Sequence, residues 1–208
     1  MIHENIDNFK LVALDLDWTI RSTKSGKTFP ENAMDWQLMP GRLEKIKALR
    51  EQGKHIAILT NQGGLLWREA TGQSKYPTVA MLGESFKDII VQLSTQSPTQ
   101  QDPWYISLYD QRAVDIINKN AGATDEILRS LQKELTEALQ QFNVWVGIDP
   151  RWRKPEPGML IVACNAASVP PEDTLFVGDR PEDQQAAEAA KTPFMWAWQF
   201  FGGEPPSA

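Results

Sequence analysis

The sequence predicts an α/β protein with three layers, helices covering both faces of a central, mainly parallel sheet. Three observations carry this. Residues 11–14 (LVAL), 55–60 (HIAILT) and 174–177 (TLFV) are short, largely apolar runs bounded by turn residues, as befits strands buried on both faces. A helix-spaced segment separates the first two runs, giving strand, helix and strand in the order of a parallel unit with a right-handed crossover. Each run also ends in polar residues with chemical potential, at the strand ends where open parallel sheets keep their sites.

Along the chain, residues 1–9 read as a loose lead-in. Residues 10–20 (KLVALDLDWTI) follow, ending on Asp15 and Asp17. Side chains alternate along an extended segment, so both carboxylates project the same way if extension continues that far; otherwise the strand simply ends in solvated acids. Residues 21–36 (RSTKSGKTFPENAMDW) are turn-rich and polar. Singly, Arg21, Lys24 and Lys27 read as solvated loop cations; together they suit an anionic substrate. Leu43, Ile46 and Leu49 have helical spacing, with Pro40 ahead and Gly53 behind. The strand at 55–60 runs into Asn61, Gln62, Gly63 and Gly64. There Thr60 and Asn61 either open a turn whose N–H groups bind an oxyanion or cap the next helix.

Residues 79–93 carry a helical apolar pattern, 94–102 a loop, and 104–108 and 144–148 two further strands. Between those strands a strongly amphipathic helix begins at Thr124, a predicted N-cap, and its apolar stripe reads as core packing. Residues 151–159 (RWRKPEPGM) gather Arg151, Trp152, Arg153 and Lys154 ahead of a rigid turn and an apolar helix over 159–167. The strand at 174–177 delivers Asp179 and Asp183, and an alanine-rich helix follows. Residues 193–198 read as a last strand, and the tail is aromatic at its start and irregular at its end.

Composition narrows the function. The chain of 208 residues suits one sizeable core, a single domain over 1–208 with an insertion at about 98–145. A net charge of -6 gives no global drive toward nucleic acid or an acidic membrane. The single Cys164 excludes an internal disulfide framework and a multi-cysteine zinc site. The N-terminus lacks the basic and apolar blocks of a secretion signal, so the expected location is cytoplasmic, with no membrane association and no obligate protein partner.

Asp15, Asp17, Asp179 and Asp183, with Thr60, Asn61 and Lys154, are expected on one edge of the sheet. Carboxylates gathered so closely repel unless a cation sits among them, and Mg²⁺ prefers such oxygen ligands, with substrate phosphate completing its shell. A lysine and a hydroxyl in the same place suit phosphoryl oxygens. The two histidines, His3 and His55, lie elsewhere, and no serine–histidine or cysteine–histidine pair is apparent. Carboxylate-nucleophile chemistry is the natural reading.

DLDWT, TNQ, KPEPGM and GDRPED, in that order, resemble the four motifs of the haloacid dehalogenase superfamily, specifically its subfamily IIIA phosphatases with little or no cap. The resemblance implies a Rossmann-like fold with an insertion before the lysine motif. By the same resemblance Asp15 is the nucleophile and Asp17 the general acid and base, while Thr60 and Lys154 hold phosphate oxygens. Asp179 and Asp15, with the carbonyl of Asp17, would bind Mg²⁺, and Asp183 would support the metal's waters or Lys154. Trp18 departs from the pattern, since glycine is common there; it walls the substrate entrance or, the favoured reading, packs beneath the loop.

For the substrate, a phosphate monoester, two relatives pull apart. SGKTFPENAMDW resembles the phosphatase domain of polynucleotide kinase 3′-phosphatases; RKPEPGML and VGDRPEDQQAA resemble heptose-bisphosphate and histidinol-phosphate phosphatases. Arg21, Lys27, Asn61, Trp152 and Arg153 are the candidate substrate contacts, Trp152 by stacking on a base or sugar. The favoured expectation is a nucleic-acid 3′ end. Small phosphosugars or histidinol phosphate are the alternative, and a catalytically weak phosphoprotein-binding module comes third.

Overall fold

A computed structural model describes residues 6–94, 102–120 and 122–204. His3, most of the loop expected at 94–102, and the end of the tail lie outside the described residues.

The buried run at the start forms β1 (Leu11–Asp15), every residue of which is buried. A two-stranded antiparallel hairpin follows, β2 (Arg21–Ser22) with β3 (Gln37–Leu38), closing the turn-rich segment into a loop. Next come α1 (Arg42–Glu51), β4 (His55–Asn61), α2 (Gly64–Thr71) and α3 (Val79–Leu93). Residues 102–147 then supply β5 (Trp104–Ser107), α4 (Gln111–Asn120), α5 (Thr124–Ala138) and β6 (Val144–Gly147). A 3₁₀ turn at Pro150–Trp152 leads into α6 (Gly158–Ala167), β7 (Thr174–Gly178), α7 (Pro181–Ala190), β8 (Phe194–Trp196) and α8 (Ala197–Phe201).

Six strands make one sheet in the order β6-β5-β4-β1-β7-β8, every pair parallel. β1 therefore sits inside, between β4 and β7, which explains its unbroken apolarity. Alternation sorts its side chains. Val12 and Leu14 face one core with buried residues of α1–α5 and α8, while Leu11 and Ala13 face a second built on α6 and α7. Ala186, Ala187 and Ala190 let α7 lie close on the second face.

Some local expectations differ. The Thr124 hydroxyl does not cap α5; it donates to Asn118 Oδ1 at 2.6 Å, and the cap position falls to Ala123. Residues 197–201 continue as a short helix after a three-residue strand, because Trp196 donates its N–H to Gln199 Oε1 at 3.3 Å and turns the chain. Among the described residues, no helix is long and apolar enough to cross a membrane.

Candidate active site

Parallel pairing brings the ends of β1, β4 and β7 to one edge. β1 delivers Asp15 there, buried, and the loop before α6 brings in Lys154, also buried. The Lys154 ammonium pairs with Asp15 Oδ1, lies 2.6 Å from Asp183 Oδ1, and donates to the Leu59 carbonyl at 3.3 Å. Asn61 fixes the lysine's backbone from both sides: its amide donates to the Lys154 carbonyl at 3.0 Å, and its Oδ1 accepts from the Lys154 N–H at 3.1 Å. Asn61 thus aims Lys154 from the neighbouring strand.

Asp183 reaches the cluster because β7 ends in glycine. A Cβ on Gly178 would stand 2.5 Å from the Asp183 side chain, so any larger residue would push that carboxylate away. Asp183 Oδ2 also accepts from the Arg180 N–H at 3.0 Å, capping α7. Asp179, half-buried, accepts from the Thr19 hydroxyl at 3.4 Å.

Asp15, Asp179 and Asp183 each offer a carboxylate oxygen within 4.8 Å of the others. Burial first, then the charges of Asp183 and Asp179, push the Asp15 carboxyl well above its ordinary range despite Lys154. Burial and the Asp183 charge raise Asp179 to about 6. Burial works to discharge Lys154, but the charges of Asp15 and Asp183 prevail and hold its ammonium above the ordinary value. Three acids around one lysine leave an excess of negative charge among hard oxygen donors. A divalent cation fits that deficit.

Asp17 belongs to a different environment. Its carboxylate lies outside the three-acid cluster; Oδ1 accepts from Arg21 Nε at 2.7 Å and Oδ2 from Gln62 Nε2 at 2.7 Å. Burial opposes ionisation here too, but the Arg21 charge and the hydrogen bonds from Arg21 and Gln62 overcome it, so Asp17 falls below its ordinary value. Gln62 also donates to Thr60 Oγ1 at 2.8 Å, tying the buried hydroxyl to the second acid. Gln62 is a site residue that residue-by-residue reasoning passed over, although TNQ contains it.

Three of the five predicted substrate contacts turn elsewhere. Arg21 is buried and points inward at Asp17. Trp152 packs across Gly147, where a Cβ would meet the indole at 2.3 Å, and against Tyr105, so its ring is a wall of the core instead of a free stacking platform. Lys27 is exposed on the hairpin loop and pairs with Glu31. Arg153 stays beside the edge, donating to the Tyr109 carbonyl at 2.9 Å and pairing with Asp110 Oδ2 at 2.9 Å.

Residues 10–197 match the family model described as polynucleotide kinase 3 phosphatase. The chain belongs to that family. Membership bears out the resemblance of the four motifs to haloacid dehalogenase phosphatases. Over 64 residues the chain is 41% identical to an uncharacterized 20.8 kDa protein of Autographa californica nuclear polyhedrosis virus, a match covering 31% of this chain and 35% of the viral protein. Over 77 residues it is 34% identical to the bifunctional polynucleotide phosphatase/kinase of Schizosaccharomyces pombe, covering 36% of this chain and 19% of that protein. The matched stretches thus span well under half of either relative. Among solved structures, a D,D-heptose 1,7-bisphosphate phosphatase from B. bronchiseptica, complexed with magnesium and phosphate, is similar at 20% identity and a TM-score of 0.46. That match covers 89% of this chain and 79% of that one. A Mesorhizobium loti protein described as a HAD-like phosphatase is similar at 21% identity and a TM-score of 0.45, covering 88% of this chain and 69% of that one.

Proposed function

We propose that this member of the polynucleotide kinase 3 phosphatase family is a Mg²⁺-dependent phosphomonoesterase that works through an aspartyl phosphate and acts on polynucleotide 3′-phosphates. The observation that carries the chemistry is the pair of acids two residues apart in opposite settings: Asp15 buried against Lys154 and two more acids, Asp17 held by Arg21 and Gln62.

Asp15 attacks phosphorus, the ester P–O bond breaks, and Asp17 gives its proton to the departing oxygen. Asp17, now a carboxylate, takes a proton from water; the hydroxide attacks the aspartyl phosphate, which releases inorganic phosphate and restores Asp15. Phosphate arriving as a dianion beside Asp17 works against the Arg21 field and favours the protonated acid that the first half requires. Lys154 and the Thr60 hydroxyl stabilise the phosphoryl oxygens. Asp15, Asp179 and Asp183 would hold Mg²⁺, which supplies charge neutralisation to the transferring group.

The polynucleotide substrate is supported by the family and by the name of the fission-yeast relative. A second reading, a small sugar phosphate or histidinol phosphate, is favoured by the inward turn of Arg21 and Trp152, which removes two contacts expected for a strand. Phosphate release from a 3′-phosphorylated oligonucleotide, set against a panel of sugar phosphates and histidinol phosphate, separates them. Faster turnover of the oligonucleotide is expected; rapid turnover of a small phosphate with none of the oligonucleotide rejects it.

A further inference from the structure

We propose that Arg21 is a positioning residue that dedicates one oxygen of Asp17, Oδ2, to proton transfer. The inference rests on the reading of Asp17 as the general acid, and concerns a cation the sequence suggested for substrate.

Arg21 is 5% exposed, and an arginine is costly to remove from water unless its donors are answered. Two are answered by specific side chains. Nε donates to Asp17 Oδ1 at 2.7 Å, and Nη1 donates to the Ser85 hydroxyl on α3 at 2.9 Å. The guanidinium also lies 5.4 Å from the centre of the Phe86 ring, a cation–π distance. The backbone adds a third tie, because the Arg21 carbonyl accepts from the Trp18 N–H at 2.7 Å. Arg21 is thus a strut, footed on α3 and ending at the carboxylate.

A guanidinium has donors and no acceptor. While Nε–H occupies Asp17 Oδ1, that oxygen cannot also present a proton to it, so a protonated Asp17 carries its hydrogen on Oδ2. The partner of Oδ2 is different in kind: Gln62 carries both an amide donor and a carbonyl acceptor, so it can answer Oδ2 in either protonation state. One oxygen is clamped and the other is left to exchange its proton. A general acid is effective only when its proton faces the leaving oxygen, and Arg21 supplies that orientation.

The test compares phenyl phosphate with p-nitrophenyl phosphate. Their leaving groups are similar in shape, but phenolate needs a proton far more than p-nitrophenolate does. kcat/KM reports steps up to formation of the aspartyl phosphate, where Asp17 acts as acid. Arg21→Met, which keeps an unbranched stem against Phe86, is expected to lower kcat/KM for phenyl phosphate at least tenfold more than for p-nitrophenyl phosphate. Asp17→Asn should show the same selectivity more strongly, and Arg21→Lys should recover part of the loss. Ser85→Ala, which removes only the strut's footing, should show a weaker version, and it serves the test if Arg21→Met does not fold. Equal losses on both esters for Arg21→Met and Ser85→Ala, with the selectivity present in Asp17→Asn, would reduce Arg21 to a structural residue and overturn the proposal. Undiminished, unselective turnover in Asp17→Asn would instead overturn the acid assignment itself.

Discussion

Asp15 and Asp17 stand two residues apart, and the protein treats them oppositely. Asp15 closes a fully buried strand among two other acids, and its carboxyl is pushed up. Asp17 lies on the following turn with an arginine on one oxygen and an amide on the other, and is pulled down. A pair of carboxylates with pKa values driven apart is the usual sign of divided labour in acid–base chemistry. Here the crowded side is short of positive charge, which suits a metal cation, while the other has a cation of its own, which favours the Asp17 carboxylate and must be offset before that group can carry a proton.

The largest effect is expected from Asp15→Asn. The change preserves shape but removes the proposed nucleophile, so Mg²⁺-dependent hydrolysis of p-nitrophenyl phosphate should fall by at least about a thousandfold in kcat. Undiminished turnover would dissolve the distinction between the two acids. Lys154→Met comes next. It leaves Asp15 and Asp183 buried without their cation, and breaking a buried ion pair this way costs about 3 kcal/mol. Denaturant unfolding should show that loss, and Mg²⁺ should restore part of it by supplying the missing charge. Arg21→Met, by contrast, should leave the Mg²⁺ response intact.

Acidity provides a third, gentler handle on the crowded side. Asp179 is raised from an ordinary carboxylate value to about 6 in the folded protein. Between those values the folded state holds more protons than the unfolded one, so the stability of the metal-free protein falls as pH rises through roughly 4 to 6. Asp15 acts in the same direction. Mg²⁺ held by these acids as proposed would replace those protons, so its stabilisation should be slight at pH 5 and larger at pH 7.5, by on the order of 2 kcal/mol. Thermal melts with and without Mg²⁺ at both pH values check the sign. A Mg²⁺ shift that is greater at the lower pH would place the raised carboxyl outside the cation site.

The two sides also differed in how readily the sequence disclosed them. The crowded side was legible because its acids are fastened to strand ends: once β1, β4 and β7 are read as parallel, topology alone gathers Asp15, Thr60 and Asp179, and the lysine motif adds Lys154. The Asp17 side was not. Arg21 sits in a turn-rich, polar stretch where a cation looks solvated, and only the packing of α3 gives it an inward partner in Ser85. Trp152 misled in the opposite sense, since an aromatic among basic residues resembles a stacking platform; the signal that it packs instead was Gly147, distant in the pattern but close in space. Of the helices, α4 and the short α8 went unread, and α2 was foreseen only as the helix that Thr60 and Asn61 would cap. Only α2, at eight residues and opening on glycine, is too short for a periodic pattern to stand clear.

Trp18 follows the second acid and offers the smallest effect. The chain reverses tightly there: the Ile20 and Arg21 N–H groups both donate to the Leu16 carbonyl, at 2.9 and 3.1 Å, and Trp18 takes φ 64°. That left-handed conformation explains why related motifs place glycine at this position, since a Cβ costs about 1 kcal/mol there and glycine pays nothing. Trp18→Gly and Trp18→Ala both lose the half-buried indole, so the difference between them isolates the backbone. The glycine variant should be the more stable by about 1 kcal/mol, or about 3 °C in Tm for a chain of this size. If the alanine variant melts at the same temperature or higher, the turn does not hold the left-handed conformation, and the separate orientation of Asp17 must come from Arg21 and Gln62 alone.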